Sequence, residues 1–138
     1  MSNFLKKLNP EWPLRFGLGI MYLYSGYDLI LNPTAWIWVV PGWFSKMVAF
    51  FVPLEDYLRL QGVSELTMAF VLLLWFLNRN FVRIVAAISA LEFTFILIFA
   101  PQFSITFRDI GLLGAALALL ILVSFSKSNL VNRHSTSF

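Results

Sequence analysis

The stretch that decides the fold runs from residue 81 to residue 100 and reads FVRIVAAISALEFTFILIFA. Only Arg83 and Glu92 in it are charged. Because about 20 apolar helical residues cross the ~30 Å hydrocarbon core of a bilayer, this stretch predicts a transmembrane helix. Three further stretches are mostly apolar with few charges: 13–31, 62–77 and 107–125. The sequence therefore predicts an all-α membrane protein, a single domain over residues 1–138 built as a bundle of four transmembrane helices.

The composition of the whole chain supports a membrane location. Of its 138 residues, 59% are hydrophobic and 12% are charged, and the mean hydropathy is +0.79. Ordinary soluble domains have about 45–50% apolar and about 25% charged residues. A soluble domain this small needs polar groups over most of its surface, and this chain has too few. We therefore expect the lipid bilayer to be its main partner.

The residue counts also exclude several classes of chemistry. The chain has no Cys, which removes thiol redox chemistry, thiolate metal ligands and iron–sulfur clusters. Its single histidine, His134, lies in a polar tail, so we expect neither a haem nor a metal site built on histidine. The net charge of +3 comes from scattered bases, so we expect no nucleic-acid partner. An excess of bases in a membrane protein usually reflects topology.

The long connection at residues 32–61 is rich in Trp and Pro. Trp36, Trp38 and Trp43 lie close together, between prolines. Since Trp is enriched at membrane–water interfaces, the pattern favours an interfacial segment between the first two spans. Within it, residues 43–52 are predicted to form a short amphipathic helix lying in the interface. A buried re-entrant piece is the alternative.

The distribution of Lys and Arg predicts that both termini are cytoplasmic. With the N-terminus inside, seven bases fall on the inner side and three on the outer side. The inner bases are Lys6, Lys7, Arg15, Arg79, Arg83, Lys127 and Arg133, and the outer ones are Lys46, Arg59 and Arg108. This topology brings acidic residues from different spans to the outer half of the bundle.

The deepest of these acids is Glu92, roughly 12 Å below the outer end of its span at 1.5 Å per residue. Ionisable groups within a span are costly, so each is a candidate site residue. Glu92 is expected either to be neutral or to pair with a base such as Arg108. The other candidate binding residues are Glu65, Asp28, Tyr24, Tyr27, Arg108 and Asp109.

A structural role is the alternative for each of these residues. Interhelical hydrogen bonds and an ion pair can hold a small bundle together without any ligand. Asp28, Glu65 and Asp109 lie near the outer interface, where partial solvation explains their charge. Arg108 and Asp109 can also cap the fourth helix, because an acid in the first turn meets the positive end of the helix dipole.

The fourth span also carries small residues at spacings of four, Gly111 with Ala115 and Gly114 with Ala118. Such spacing permits close helix packing. Packing within the chain is the favoured interpretation, and a homo-oligomer face is the alternative.

Several short motifs resemble the DoxX-like family of small four-span membrane proteins. They are LRFGLG at 14–19, YLYSGYD at 22–28, NP at 32–33, PGW at 41–43, GVSE at 62–65 and RDIGLLGAAL at 108–117. The resemblance implies a four-helix bundle. It also implies an association with redox systems, because some members of the family are subunits of quinone-linked oxidoreductases.

From these observations we expect an accessory or quinone-interacting subunit of a membrane redox system in the prokaryotic cytoplasmic membrane. Tyr24 or Tyr27 would donate a hydrogen bond to a quinone carbonyl, and Glu92 or Glu65 would accept or relay a proton. Without a metal or thiol the chain needs other redox subunits or a bound cofactor, which favours a non-catalytic subunit. The alternative is a non-enzymatic scaffold, assembly factor or small transporter with an acidic, outward-facing vestibule.

Overall fold

The computed structural model describes residues 9–100 and 103–125, and for residues 103–107 it describes the backbone only. Within these ranges every regular element is a helix, which confirms the all-α class. The elements are α1 (Glu11–Leu31), a 3₁₀ helix (Pro33–Val39), α2 (Gly42–Ala49), α3 (Leu54–Leu73), α4 (Arg79–Phe99) and α5 (Phe103–Phe125). The terminal bases counted for topology, and His134, lie outside the described residues.

Two of the four predicted spans are long and apolar enough to cross a membrane. They are α4 and the part of α5 from Arg108 to Phe125, judged by length and composition. The helices α1 and α3 have 21 and 20 residues, close to the 21 of α4, but they are less apolar. In α3 four charged residues contribute to this: Glu55, Asp56, Arg59 and Glu65. Three charges lie in α1, as in α4, and α1 also carries Tyr22, Tyr24 and Tyr27. The four-span bundle therefore stays a prediction for α1 and α3.

The helix bounds differ most from the predicted ones at α3, which begins at Leu54 rather than at residue 62. Pro53 precedes the helix, and Glu55 and Asp56 lie in its first turn. Acids there meet the positive end of the helix dipole, so the helix starts in the charged part of the connection. The predicted short helix between the first two spans is present as α2 (Gly42–Ala49). Its position in the interface stays a prediction.

The four long helices form a ring in which one contact is weak. The helix α1 packs along α3 and also against α5, and α5 packs along α4. By contrast, α3 and α4 contact each other little, although only a short turn joins them. The buried core of the bundle includes Leu18, Tyr22, Leu72, Val82, Ala86 and Leu119. We refer to the open side of the ring as the α3/α4 gap.

The closest helix approach lies between α1 and α3, at two glycines. A Cβ atom placed on Gly26 would lie 2.7 Å from the carbonyl oxygen of Gly62, and one placed on Gly62 would lie 2.7 Å from that of Gly26. Only glycine fits at such a crossing. In contrast, a Cβ on Gly111 or Gly114 would meet nothing within 4 Å in the described structure. Of the small residues spaced by four on α5, Ala115 packs against the buried core, whereas Gly111 and Gly114 are exposed in the described part of the chain.

Arg15 and Glu11 tie together the start of α1, the end of α3 and the start of α4. Arg15 on α1 is 3% exposed, and its Nε and Nη2 atoms donate to the carbonyl oxygens of Leu72 and Leu74, both at 2.8 Å. These carbonyls end α3 and have no partner within their own helix. Glu11 accepts from Arg15 at 3.2 Å and from Arg79 of α4 at 2.7 Å. From the sequence, Arg15 and Arg79 were used only to predict which side of the membrane each helix end faces.

Candidate ligand-binding cavity

A cavity of about 750 Å³ lies between α1, α3 and α4, with the start of α5 at one side. Small-molecule sites in proteins commonly measure about 300–1,000 Å³ and are mostly apolar with a few placed polar groups. The apolar lining includes Met21, Leu29, Met68, Ile96, Phe99 and Leu112. The cavity therefore has the size and the wall chemistry of a ligand site.

Among the described residues of α4, the polar side chain that lines the cavity is Glu92. Its Oε2 accepts a hydrogen bond from the Tyr22 hydroxyl of α1 at 2.9 Å. Its Oε1 accepts one from the Gln61 amide of α3 at 2.7 Å. The Tyr22 ring also stacks on Phe93, with ring centroids 5.9 Å apart. Glu92 thus links three helices at one wall of the cavity.

A second carboxyl group lies beside this link. Glu65 of α3 is 7% exposed, and the Ser25 hydroxyl of α1 donates to its Oε2. We call these side chains together the polar cluster: Tyr22, Ser25, Gln61, Glu65 and Glu92. All of them line the cavity. Among the described residues, no buried side-chain nitrogen or oxygen lacks a hydrogen-bond partner.

Helical spacing explains why these residues meet. Tyr22 and Ser25 are three residues apart on α1, and Gln61 and Glu65 are four apart on α3. Residues at these spacings share one face of a helix. The close crossing of the two helices at Gly26 and Gly62 then brings the two faces together.

Four of the seven residues predicted from sequence line this cavity: Glu92, Glu65, Arg108 and Asp109. Asp28 does not line it. Its carboxylate accepts from the Asn32 amide at 2.8 Å and from the Trp36 indole at 2.9 Å. Asp28 therefore holds the 3₁₀ helix that follows α1 against the end of α1 by hydrogen bonds.

The two tyrosines proposed as donors lie on the other side of α1. Tyr24 is 73% exposed and Tyr27 is 60% exposed, and neither lines the cavity. The tyrosine of α1 that lines the cavity is Tyr22, which is 1% exposed and donates its hydroxyl hydrogen to Glu92. The reason is geometric, because residues two apart on a helix do not share a face.

The proposed pairing of Glu92 with Arg108 is absent from the structure. The Nε atom of Arg108 lies 3.6 Å from Oδ1 of Asp109, and the Arg108 side chain is 56% exposed. Glu92 instead accepts from two uncharged donors. Arg108 and Asp109 form a charged edge of the cavity in the second turn of α5, which begins at Phe103, so they do not cap this helix as one of the alternatives from the sequence proposed.

Sequence analysis missed part of the site. It left out Tyr22, Gln61 and Tyr57, all of which line the cavity. The spacings of Tyr22 to Ser25 and of Gln61 to Glu65 are a signal that could have found two of them. It also favoured an anchoring role for the tryptophans, whereas Trp36 and Trp43 line the cavity.

The segment from the 3₁₀ helix to α2 covers one end of the cavity. The Trp43 ring meets Phe99 of α4 edge to face at 5.4 Å, and the Phe44 ring meets Tyr57 of α3 in the same way at 5.5 Å. Together with Trp36 these rings bridge from α1 to α3 and α4. We call this segment, residues 33–49, the aromatic cover.

The described residues contain no group of three or more His, Cys, Asp or Glu side chains arranged to hold a metal ion. A comparison of the chain with models of known protein families, with curated proteins and with solved structures finds no match. The resemblance to the DoxX-like family therefore stays a prediction. Any functional conclusion rests on the cavity and its residues.

Proposed function

We propose that this protein binds an isoprenoid quinone in its cavity, as an accessory subunit of a membrane redox system. The observation that carries the proposal is the cavity itself, in which an apolar wall faces one compact polar cluster. A quinone has the same division into a polar ring and an apolar tail. The main support for the proposal is that a ligand with one polar end and one apolar end fits this cavity.

The hydrogen-bonding groups at the polar end suit a quinone ring. Tyr57 is half-buried, lines the cavity and carries a hydroxyl group that donates to a carbonyl. The carboxyl groups of Glu65 and Glu92 are proton acceptors on the same wall. In this proposal Tyr57 takes the donor role that sequence analysis gave to Tyr24 or Tyr27.

The proposal includes a location and a topology. The chain belongs in the prokaryotic cytoplasmic membrane with α1, α3, α4 and α5 as four spans and both termini inside. The apolar length of α4 and α5 supports this placement. A reporter fused after Phe138 tests the topology, and an external reporter would overturn it.

Quinone binding is tested on the purified full chain in mild detergent. The probe is a quinone with a short alkyl tail, and the readout is isothermal titration. We expect Glu92→Gln and Tyr57→Phe to weaken binding at least about tenfold. Glu55→Gln is the matched control, because Glu55 is an exposed carboxyl group on α3 that does not line the cavity, and the affinity of this variant should stay at that of the unmodified chain.

A second candidate is a non-enzymatic scaffold, and one observation favours it. Three helices meet through the polar cluster, and its buried side-chain atoms are all partnered. In that case the purified chain would bind no quinone, and Glu92→Gln would lower only the unfolding temperature. That result would overturn the quinone proposal. The acidic transporter remains the alternative if a cationic solute, rather than a quinone, co-purifies.

A further inference from the structure

We infer that the ligand of this cavity enters from the bilayer through the α3/α4 gap. Once it is bound, its apolar tail lies in that gap. The inference rests on the proposed binding of a quinone and adds the route and the place of the tail. The first observation is that neighbouring helices do not pack equally closely. The helices α3 and α4 are joined by a short turn, yet they contact each other less than α1 contacts α3 or α4 contacts α5.

The cavity reaches the surface of the bundle at this gap. On the α4 side its lining includes Ile88, Leu91 and Phe95, which are 46%, 62% and 60% exposed. On the α3 side it includes Ser64, which is exposed. A single set of side chains thus belongs both to the cavity wall and to the outer surface.

The side chains of the gap are polar on its inner side and apolar on its outer side. The polar cluster lies on its inner side, where the hydrogen bond from Gln61 to Glu92 crosses from α3 to α4. Outward from that bond the α4 edge is a stripe of apolar side chains, because positions 88, 91 and 95 follow helical spacing. A ligand lying in the gap would therefore have its polar head inward and its apolar part outward.

Two ends of the cavity are bordered by contacts between helices. At one end the aromatic cover bridges α3 and α4, through the contacts of Phe44 with Tyr57 and of Trp43 with Phe99. At the other end Arg15 fastens the last turn of α3 to α1, and Glu11 binds Arg79 of α4. Another exposed border of the cavity, at Arg108, is charged and disfavours the passage of an apolar tail. Within the described residues, the α3/α4 gap is an apolar opening between the two bordered ends.

The source of the ligand follows from the surface around this opening. Exposed apolar side chains of this size are costly in water and fit a lipid environment. A molecule that reaches the opening there is dissolved in the bilayer. This route therefore selects a lipid-soluble ligand over a water-soluble ring compound.

The inference is tested by filling the gap. Ser64→Trp fills it from α3, and Val63→Trp is the matched control, because Val63 is exposed on the same helix but does not line the cavity. On α4, Leu91→Trp fills the gap. Its control is Ile98→Trp, because Ile98 is exposed on the same helix but does not line the cavity. The full chain is reconstituted in lipid vesicles, and binding of a long-chain and a short-chain quinone is measured.

We expect each gap-filling variant to weaken binding of the long-chain quinone at least about tenfold, while the short-chain quinone keeps its affinity within about twofold. The controls should leave both unchanged. Equal affinity of the long-chain quinone in Ser64→Trp, Leu91→Trp and the unmodified chain would overturn the inference. If neither quinone binds the unmodified chain, the proposed function itself fails, which is a different result.

A second measurement does not depend on the folding of any variant. A long-chain quinone with a photoreactive group at the tail end is bound to the unmodified chain and crosslinked. We expect the crosslinks on residues of the gap, above all Ser64, Leu91 and Phe95. Crosslinks confined to the aromatic cover or to α5 would overturn the inference.

Discussion

The hydroxyl group of Tyr22 lies 2.9 Å from Oε2 of Glu92, and this hydrogen bond joins α1 to α4 across the core of the bundle. The two residues are seventy positions apart in the chain. Tyr22 is 1% exposed, so this hydrogen bond is shielded from solvent. This contact links two helices that lie across the ring from each other and holds the Glu92 carboxyl group at the cavity wall.

Removal of that hydroxyl group should destabilise the bundle. We expect Tyr22→Phe to lower the free energy of unfolding by about 1–3 kcal/mol, because Glu92 then loses a buried donor. The measurement is SDS-induced unfolding followed by circular dichroism. Tyr24→Phe is the control, since Tyr24 lies on the exposed face of the same helix. Equal effects of the two substitutions would contradict the assigned hydrogen bond.

The buried Arg15, near the start of α1, should contribute more to stability than Tyr22 does. Arg15→Gln removes the donors to the last carbonyls of α3 and part of the charge that balances Glu11. We expect a loss of about 3–5 kcal/mol in unfolding free energy, as for other broken buried ion pairs.

The control for Arg15 is Arg59→Gln. Arg59 forms an exposed pair with Asp56, with both side chains about half exposed. Such pairs contribute about 0.5 kcal/mol or less. A stability of Arg15→Gln equal to that of Arg59→Gln would show that Arg15 does not tie α3 to α1.

The glycine crossing gives a third prediction. In Gly26→Ala the added methyl group would lie 2.7 Å from the carbonyl oxygen of Gly62, so α1 and α3 must move apart. We expect destabilisation by about 1–3 kcal/mol, typical of overpacking. In Gly17→Ala the methyl group meets nothing within 4 Å, and the better helix propensity of Ala should leave stability unchanged or slightly raised. Equal thermal unfolding of both variants would argue against the close approach.

The aromatic cover should loosen when its link to α1 is removed. Trp36→Phe keeps an aromatic ring but loses the indole donor to Asp28. We expect trypsin to cleave the variant several-fold faster after Lys46, which lies exposed on α2. Trp75→Phe is the control, because Trp75 is 79% exposed and lies beyond the far end of α3. Unchanged cleavage in Trp36→Phe would mean that other contacts hold the cover in place.

Sequence reasoning predicted the acids of the site but not their hydrogen-bond partners. It found Glu65 and Glu92 because a charge within an apolar stretch is conspicuous in the sequence itself. It assigned the donor role to Tyr24 and Tyr27, whereas Tyr22 faces the cavity. A tyrosine in an apolar helix has no sequence signal for the direction it faces, since that direction depends on which side of the helix is packed.

By itself, the sequence determined that the chain is helical, that it is rich in apolar surface and that its few charges are concentrated in a few places. These properties depend on local composition and on helical spacing. The tertiary structure decided which polar groups meet, that α3 and α4 stand apart, and that Arg15 caps a helix distant in the chain. Those features depend on the rotation of each helix about its axis. The rotation is fixed by close contacts between distant segments, such as Gly26 against Gly62, that no single stretch of sequence contains.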